Sequence, residues 1–389
     1  MIEYKLSDDT WSSEEIEAIN RVIKSNRYSM GQEVADYEKQ FAQKVGSKYA
    51  VMSNSGSSAN LLAIAALVYS GKLSPGDEVL VPAVSWSTTY FPVAQYNLKL
   101  RFVDIDRTTY NIDVSKIEDA VTKNTRAIFA VNLLGNPCEY EKILEICEKH
   151  NLFLIEDNCE ALGGVYRGKQ LGTIGLLGTY STFYSHHLCT MEGGVTVTDD
   201  EELYHYLLSI RAHGWTRNLP SDSKIYKKNE DEFYESFNFI IPGYNLRPIE
   251  LEGAIGKEQL KKFDAIIEQR RQNANYFLER IKEVNHITPQ KETEQSSWFG
   301  FGMVLDSCDV NLRKNVVKAL KDNHIEVRPI VAGNFTKNIA VKYLDYSIYG
   351  DLENADIIHE NGFFVGNHSK SNKKEIDSLI EVLKGVLHD

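Results

Sequence analysis

Apolar positions in the first half of the chain fall in short runs separated by amphipathic segments of helical length. Glu78–Val84, Leu100–Ile105, Ala127–Leu134 and Leu152–Asn158 are rich in β-branched and aromatic residues, and segments 88–95, 114–121 and 139–149 between them read as helices. Strands alternating with helices predict βαβ units and a mostly parallel sheet. In such sheets ligands sit at the carboxyl ends of the strands. Upstream, Ser12-x-x-Glu15 is a capping-box pattern opening a helix to about Ile23. Val34, Tyr37, Phe41 and Val45 line one face of a helix over Gln32–Val45, and Leu61–Val68 is an apolar helix. Two β-runs, Gly178–Ser185 and Val195–Thr198, flank a His186-His187 pair and a Glu192-Gly-Gly turn. Beyond a helix at Glu202–Arg211 and a polar loop from His213 to Glu235, the pattern changes. Ile241–Pro248 begins a helix with a small-residue face at Ala254, Gly256 and Leu260, and a charged helix at Lys261–Val284 then leads into β-runs at Phe299–Leu305 and Ile325–Val331, with helices at 309–322 and 373–387. The expected architecture is α/β: a large domain with a mostly parallel sheet flanked by helices, and a smaller α+β C-terminal domain. The expected bounds are 1–28 for an N-terminal segment packing on the small domain, 29–257 for the large domain and 258–389 for the small one.

Composition narrows the class. A chain of 389 residues with 42% hydrophobic and 25% charged content can bury a sizeable core. The net charge of −12 opposes a nucleic-acid or anionic-membrane surface, yet leaves room for a local basic pocket. The opening residues carry neither a basic segment nor an apolar one, so no signal peptide is expected, and no apolar run reaches the length of a membrane span. Five cysteines (138, 147, 159, 189 and 308) are scattered, without C-x-C or C-x-x-C, which suits a reducing cytoplasm and gives no support to a metal site.

Candidate chemistry collects at strand ends. Ser53–Asn60 is a small-residue turn opening a helix, either a plain Ser N-cap or an anion site, since the first helical N–H groups lack internal partners. Asp157 ends an apolar run, where a carboxylate needs a cation or several donors. It is either half of a structural ion pair or the holder of a protonated heterocyclic nitrogen. Trp86 and His186 also lie at or just beyond strand ends. His186 and His187 taken alone fit a pair of satisfied loop histidines as well as a site. Arg328 reads either as a surface ion-pair partner or as a fork for a carboxylate or diphosphate. His213 reads as an acid, a sugar-orienting group or a loop histidine without a role. Phe237 is a further candidate on the substrate side.

Taken together, five segments resemble the DegT/DnrJ/EryC/StrS family of pyridoxal-phosphate sugar aminotransferases. They are Asn54-Ser-Gly56-Ser57-Ser-Ala, Pro82-Ala-Val-Ser-Trp86-Ser-Thr, Glu156-Asp157-Asn-Cys-Glu160-Ala, Ser181 with His186 and Glu192-Gly-Gly, and Gly243-Tyr-Asn245-Leu-Arg247. The resemblance implies the fold-type I architecture of pyridoxal-phosphate transferases. It implies that Gly56, Ser57 and Ser181 cradle the cofactor phosphate, that Trp86 stacks on its ring and that Asp157 pairs with its ring nitrogen. It further implies a homodimer in which Asn245 and Arg247 reach the neighbouring active site. Two positions depart from the aminotransferase pattern. His186 stands where the family carries its cofactor-binding lysine, with no lysine between Lys169 and Lys224, and Glu160 replaces the usual Gln or His. Both match the 3-dehydratase branch. That branch implies non-covalent pyridoxal or pyridoxamine phosphate, a GDP-linked 4-keto-6-deoxy sugar as substrate, L-glutamate as amine donor and His186 as the proton carrier. Rival readings are a 4-amino-sugar aminotransferase, an iron–sulfur CDP-sugar 3-dehydrase type and a catalytically inactive cofactor-binding homologue. The missing lysine opposes the first, and the lack of cysteine between 189 and 308 opposes the second.

Overall fold

In the computed structural model, which describes residues 2–307, 309 and 311–387, the first helix begins where the sequence supplies a capping box. Cys308 lies outside the described residues. Glu15 accepts the backbone N–H of Ser12 at 2.8 Å, closing α1 (Ser13–Ser25), and α2 follows at Gln32–Val45. The alternating region then runs β1 (Tyr49–Ser53), α3 (Gly56–Tyr69), β2 (Glu78–Pro82), α4 (Ser87–Gln95), β3 (Lys99–Val103), α5 (Val114–Ala120), β4 (Thr125–Val131), α6 (Tyr140–His150) and β5 (Phe153–Asp157). A small hairpin, β6 (Val165–Tyr166) and β7 (Lys169–Gln170), precedes β8 (Leu177–Ser181), β9 (Gly194–Thr198) and α7 (Glu201–Arg211).

Eight strands form the main sheet. β8, β5, β4, β2 and β3 pair in parallel in that order, β9 and β1 add antiparallel edge pairs, and β13 (Tyr346–Ile348) closes the far edge beside β3. The sheet is apolar on both faces because helices cover both. Val79, Val81 and Phe129 meet Leu62, Ala63 and Leu67 of α3 on one side, while Leu80, Ile128 and Ala130 meet Ile117 of α5 and Ile143 of α6 on the other. The buried α3 is apolar all round, as a helix enclosed in a core must be.

The second region carries α8 (Glu232–Glu235), α9 (Glu250–Arg280), β10 (Ile287–Pro289), β11 (Gly300–Leu305), α10 (Leu312–Asp322), β12 (Val327–Arg328), α11 (Glu353–Asn361), β14 (Gly362–Gly366) and α12 (Lys373–Val386). An antiparallel sheet in the order β10-β11-β14-β12 packs against α10 and α12 through a separate core that includes Phe277, Phe301, Val365 and Leu383. Tyr4 belongs to that core, pairs with Ile325 and donates its hydroxyl to Gly366 O at 2.6 Å. The fold is the α/β architecture expected of a fold-type I transferase.

Four local expectations change. β8 stops at Ser181 rather than Ser185, because its partner β9 begins at Gly194 and residues 182–193 leave the sheet as a loop. The apolar helix opens at Gly56, not Leu61, since Ser55 already caps it. The charged helix starts at Glu250, not Lys261: the small-residue stretch from Ala254 to Leu260 and the charged stretch after it are one 31-residue helix. Of the run at Ile325–Val331, only Val327–Arg328 pairs with β14, where Pro329 removes the next ladder donor. No helix among the described residues is long and apolar enough to cross a membrane.

Candidate active site

Asp157 ends β5 and is buried. Its Oδ2 accepts from Asn60 Nδ2 at 2.8 Å and from the Thr89 hydroxyl at 2.8 Å, while Oδ1 accepts the Cys159 N–H at 3.1 Å. Helices α3 and α4 thus each send one polar side chain to the strand end. A carboxylate has about four acceptor positions, so Oδ1 keeps capacity for one more donor. Trp86, the residue before α4, is 58% exposed, an aromatic face left open beside that carboxylate's partners.

Next to this floor lies a cradle. Ser55 Oγ caps the amide of Ser58, leaving the N–H groups of Gly56 and Ser57 at the start of α3 without a partner among the described residues. A Cβ at Gly56 would lie 2.6 Å from Ser181 Cβ and 3.0 Å from Cys159 Sγ, so only glycine lets β8 and the helix start come together. Gly194 is under the same demand, since a Cβ there would sit 2.1 Å from Ser55 O. A helix start with unpartnered N–H groups and a serine hydroxyl beside it suits a phosphate.

His186 lies in the loop after β8, against the ring of Phe299 at 5.1 Å between centroids and that of Phe183 at 6.0 Å. Its Nδ1 is buried without a hydrogen-bond partner, which leaves Nε2 to meet a ligand. Burial, then the nearby Arg270 guanidinium, push its pKa down to about 4, so the imidazole is neutral at pH 7. His187 is fully buried and donates Nε2–H to Ser297 O at 3.1 Å. Glu160 accepts the Leu134 N–H at 3.0 Å, and burial pushes its carboxyl up to about 7, with the Asp157 charge adding to the rise. Leu134 O in turn accepts the Phe299 N–H at 3.0 Å, which ties the Glu160 side of the site to the wall behind His186.

The remaining candidates lie farther out. Leu246 O accepts the Asn54 N–H at 3.0 Å, so the segment carrying Asn245 and Arg247 runs beside the cradle, with Arg247 Nε donating to Asn245 Oδ1 at 3.1 Å. Arg328 is exposed and pairs across β12 with Phe364, whose ring lies 6.4 Å from Phe299. His213 and Phe237 are exposed on the long loop, where Phe237 stacks on Trp215 at 5.5 Å. Among the described residues, no contact joins these last three to Asp157.

Residues 9–384 match the DegT/DnrJ/EryC1/StrS aminotransferase family. The chain belongs to that family. It is 53% identical over 388 residues to the GDP-4-keto-6-deoxy-D-mannose 3-dehydratase of Yersinia pseudotuberculosis, covering 99% of each chain. It is 52% identical to a GDP-4-keto-6-deoxymannose-3-dehydratase crystallised with a trapped PLP-glutamate geminal diamine, with a TM-score of 0.96 over 98% of this chain and 100% of the other. The E. coli enzyme with bound hydrated PLP is similar to the same degree, at 52% identity and a TM-score of 0.96, covering 99% of this chain and all of the other.

Within the family framework, sequence reading overlooked Asn60, Thr89 and Phe299. Asn60 lies one helical turn beyond Gly56, and Thr89 three residues beyond Trp86. A polar residue buried on an otherwise apolar helix was the available signal for the first. Phe299 carried none, because only the tertiary fold brings it to His186. The residues present fit a pyridoxal cofactor: a helix-start cradle that a Cβ would fill, a buried carboxylate with spare acceptor capacity, and an uncharged imidazole in the loop after β8.

Proposed function

We propose that this chain is a 3-dehydratase of a nucleotide-linked 4-keto-6-deoxyhexose, with GDP-4-keto-6-deoxy-D-mannose as substrate and L-glutamate as amine donor. It works in the cytoplasm as a homodimer, with pyridoxal or pyridoxamine phosphate held without a covalent bond. The observation that carries this reading is His186, an enclosed neutral imidazole at the position of the family lysine, in a stretch without lysine from 170 to 223. The names of the relatives support the substrate and the donor.

Gly56 and Ser57 offer two backbone N–H groups, and Ser181 a hydroxyl, to the cofactor phosphate. Asp157 holds the ring nitrogen in its protonated form, and Trp86 covers the ring face. When bound, the cofactor supplies an amine and a sink for electrons. An imidazole cannot replace the lysine as a covalent anchor, but Nε2 of His186 can take up a proton and return it. As base it removes one proton; as imidazolium it delivers one to the oxygen departing from C3 of the sugar. Overall, the sugar would exchange its C3 hydroxyl for hydrogen, with the amine supplied by the cofactor released as ammonia. Glutamate then restores the amine and leaves as its 2-oxo acid.

Arg328, His213 and Phe237 serve the substrate side, and Asn245 and Arg247 reach the second subunit's site. We place the large domain at 29–257 and the small one at 258–389, with 1–28 packed on the latter. Borohydride reduction of the cofactor-loaded protein tests the non-covalent reading. Intact-mass analysis returns an unmodified polypeptide; a chain carrying reduced cofactor on any lysine overturns it.

A further inference from the structure

His186 lacks what usually orients a catalytic imidazole, a hydrogen-bonded partner on the second ring nitrogen. Its Nδ1 has none within hydrogen-bond geometry, with the Phe183 backbone a polar group beside the ring, so aromatic packing holds it, chiefly the tilted ring of Phe299. Phe299 lies on a segment, Ser297–Phe299, that is held along both backbone edges. On one edge Ser297 N–H donates to Gly135 O at 3.0 Å and Phe299 N–H to Leu134 O at 3.0 Å. On the other, the three successive carbonyls each receive a buried side-chain donor. His187 Nε2 reaches Ser297 O at 3.1 Å, Asn367 Nδ2 reaches Trp298 O at 2.9 Å, and Arg270 reaches Phe299 O at 3.1 Å and Trp298 O at 3.4 Å. Trp298 adopts a left-handed backbone, φ 49°, which a non-glycine residue holds only when its surroundings over-determine it.

Arg270 is the unusual member. It is one of the largest fully buried side chains in the protein, it has no carboxylate in ion-pair contact among the described residues, and its Nε lacks a partner. Burying a guanidinium against carbonyls, with the Asp8 carboxylate acting on it only from beyond ion-pair distance, is costly. The cation also stands close enough to His186 and His187 to disfavour their protonation; Arg271 adds to this at His187. We infer that Arg270, His187 and Asn367 are positioning residues that clamp Ser297–Phe299 and so hold Phe299 as the wall that orients the His186 ring. This rests on His186 acting as the proton carrier. It adds that the base is aligned by an aromatic wall and not by a carboxylate relay.

The test reads His186 directly in cofactor-free protein labelled at histidine, with its resonances assigned from His186→Asn, alongside the glutamate half-reaction followed by cofactor absorbance. Phe299→Leu leaves the clamp and its charge in place while removing the ring, and Arg270→Lys keeps the charge while losing the paired donors. With Phe299→Leu, the His186 ring resonances broaden and move. The half-reaction rate falls by roughly 10- to 100-fold, the cost of misplacing a reacting group, with the half-saturating glutamate concentration within about twofold. Arg270→Lys gives a smaller change in the same direction, and Arg270→Gln a larger one. Unchanged His186 resonances in folded Phe299→Leu overturn the inference. So does a rate loss carried wholly by weaker glutamate binding. Either can occur with the dehydratase activity intact, and absence of that activity in the unsubstituted protein counts against the functional reading instead.

Discussion

His186→Asn lowers dehydration of the nucleotide sugar by a factor of about 10³ or more, within the range expected when a general acid–base group is removed. Asparagine nearly fills the volume and keeps a polar edge, but it neither gains nor gives up a proton at neutral pH. On the proposed roles the same imidazole serves the glutamate half-reaction, while Gly56, Ser57, Ser181 and Asp157 hold the cofactor, so both halves fail together and cofactor binding remains measurable by absorbance. The pH dependence carries a sign. Burial first, and then Arg270, hold the imidazole pKa down near 4, so the base is already free at pH 6 and its acid limb falls close to pH 4 rather than near the ordinary 6.5. An activity that rises steeply between pH 6 and 7 contradicts this picture, as does a His186→Asn enzyme within about tenfold of the unsubstituted protein.

Asp157→Asn comes second, and its effect divides in two. Asn60 and Thr89 donate to Oδ2 and Cys159 N–H to Oδ1, so whichever way an amide is turned, its NH₂ faces at least one donor. The stability loss is about 1–3 kcal/mol, the cost of leaving a buried donor unmet, seen as a lower midpoint in urea. Turnover falls further, by roughly 10³, because a neutral amide no longer holds the ring nitrogen in its protonated form. Stability and rate are therefore measured on the same sample. A rate loss no larger than the fraction unfolded would remove Asp157 from the site.

How much of this was readable in the sequence depended on distance along the chain. The central strands β2 to β5 and α2 were clear because their apolar periods are local and uninterrupted. Helix α9 was read as two helices because its buried face changes partners, from α1 and α2 near Ala254 to the second core near Phe277. The end of β8 was misread because Thr182–Tyr184 continue a strand-like composition, while the limit is set by a partner strand that starts only at Gly194. Asp157 and Gly56 announced themselves as a charge on an apolar run and as a glycine opening a helix. The wall behind His186 did not. Phe299 and Arg270 are separated from it by most of the loop region and α9, and nothing in a local window marks an aromatic residue or a buried cation as its neighbour.

The most direct measurement is the product itself. Incubation of the protein with pyridoxamine phosphate and GDP-4-keto-6-deoxy-D-mannose, analysed by mass spectrometry with ammonia assayed in parallel, gives a GDP-sugar lighter by one oxygen and one ammonia for each sugar converted. A 4-amino sugar that retains its C3 hydroxyl, formed without ammonia release, contradicts the assignment.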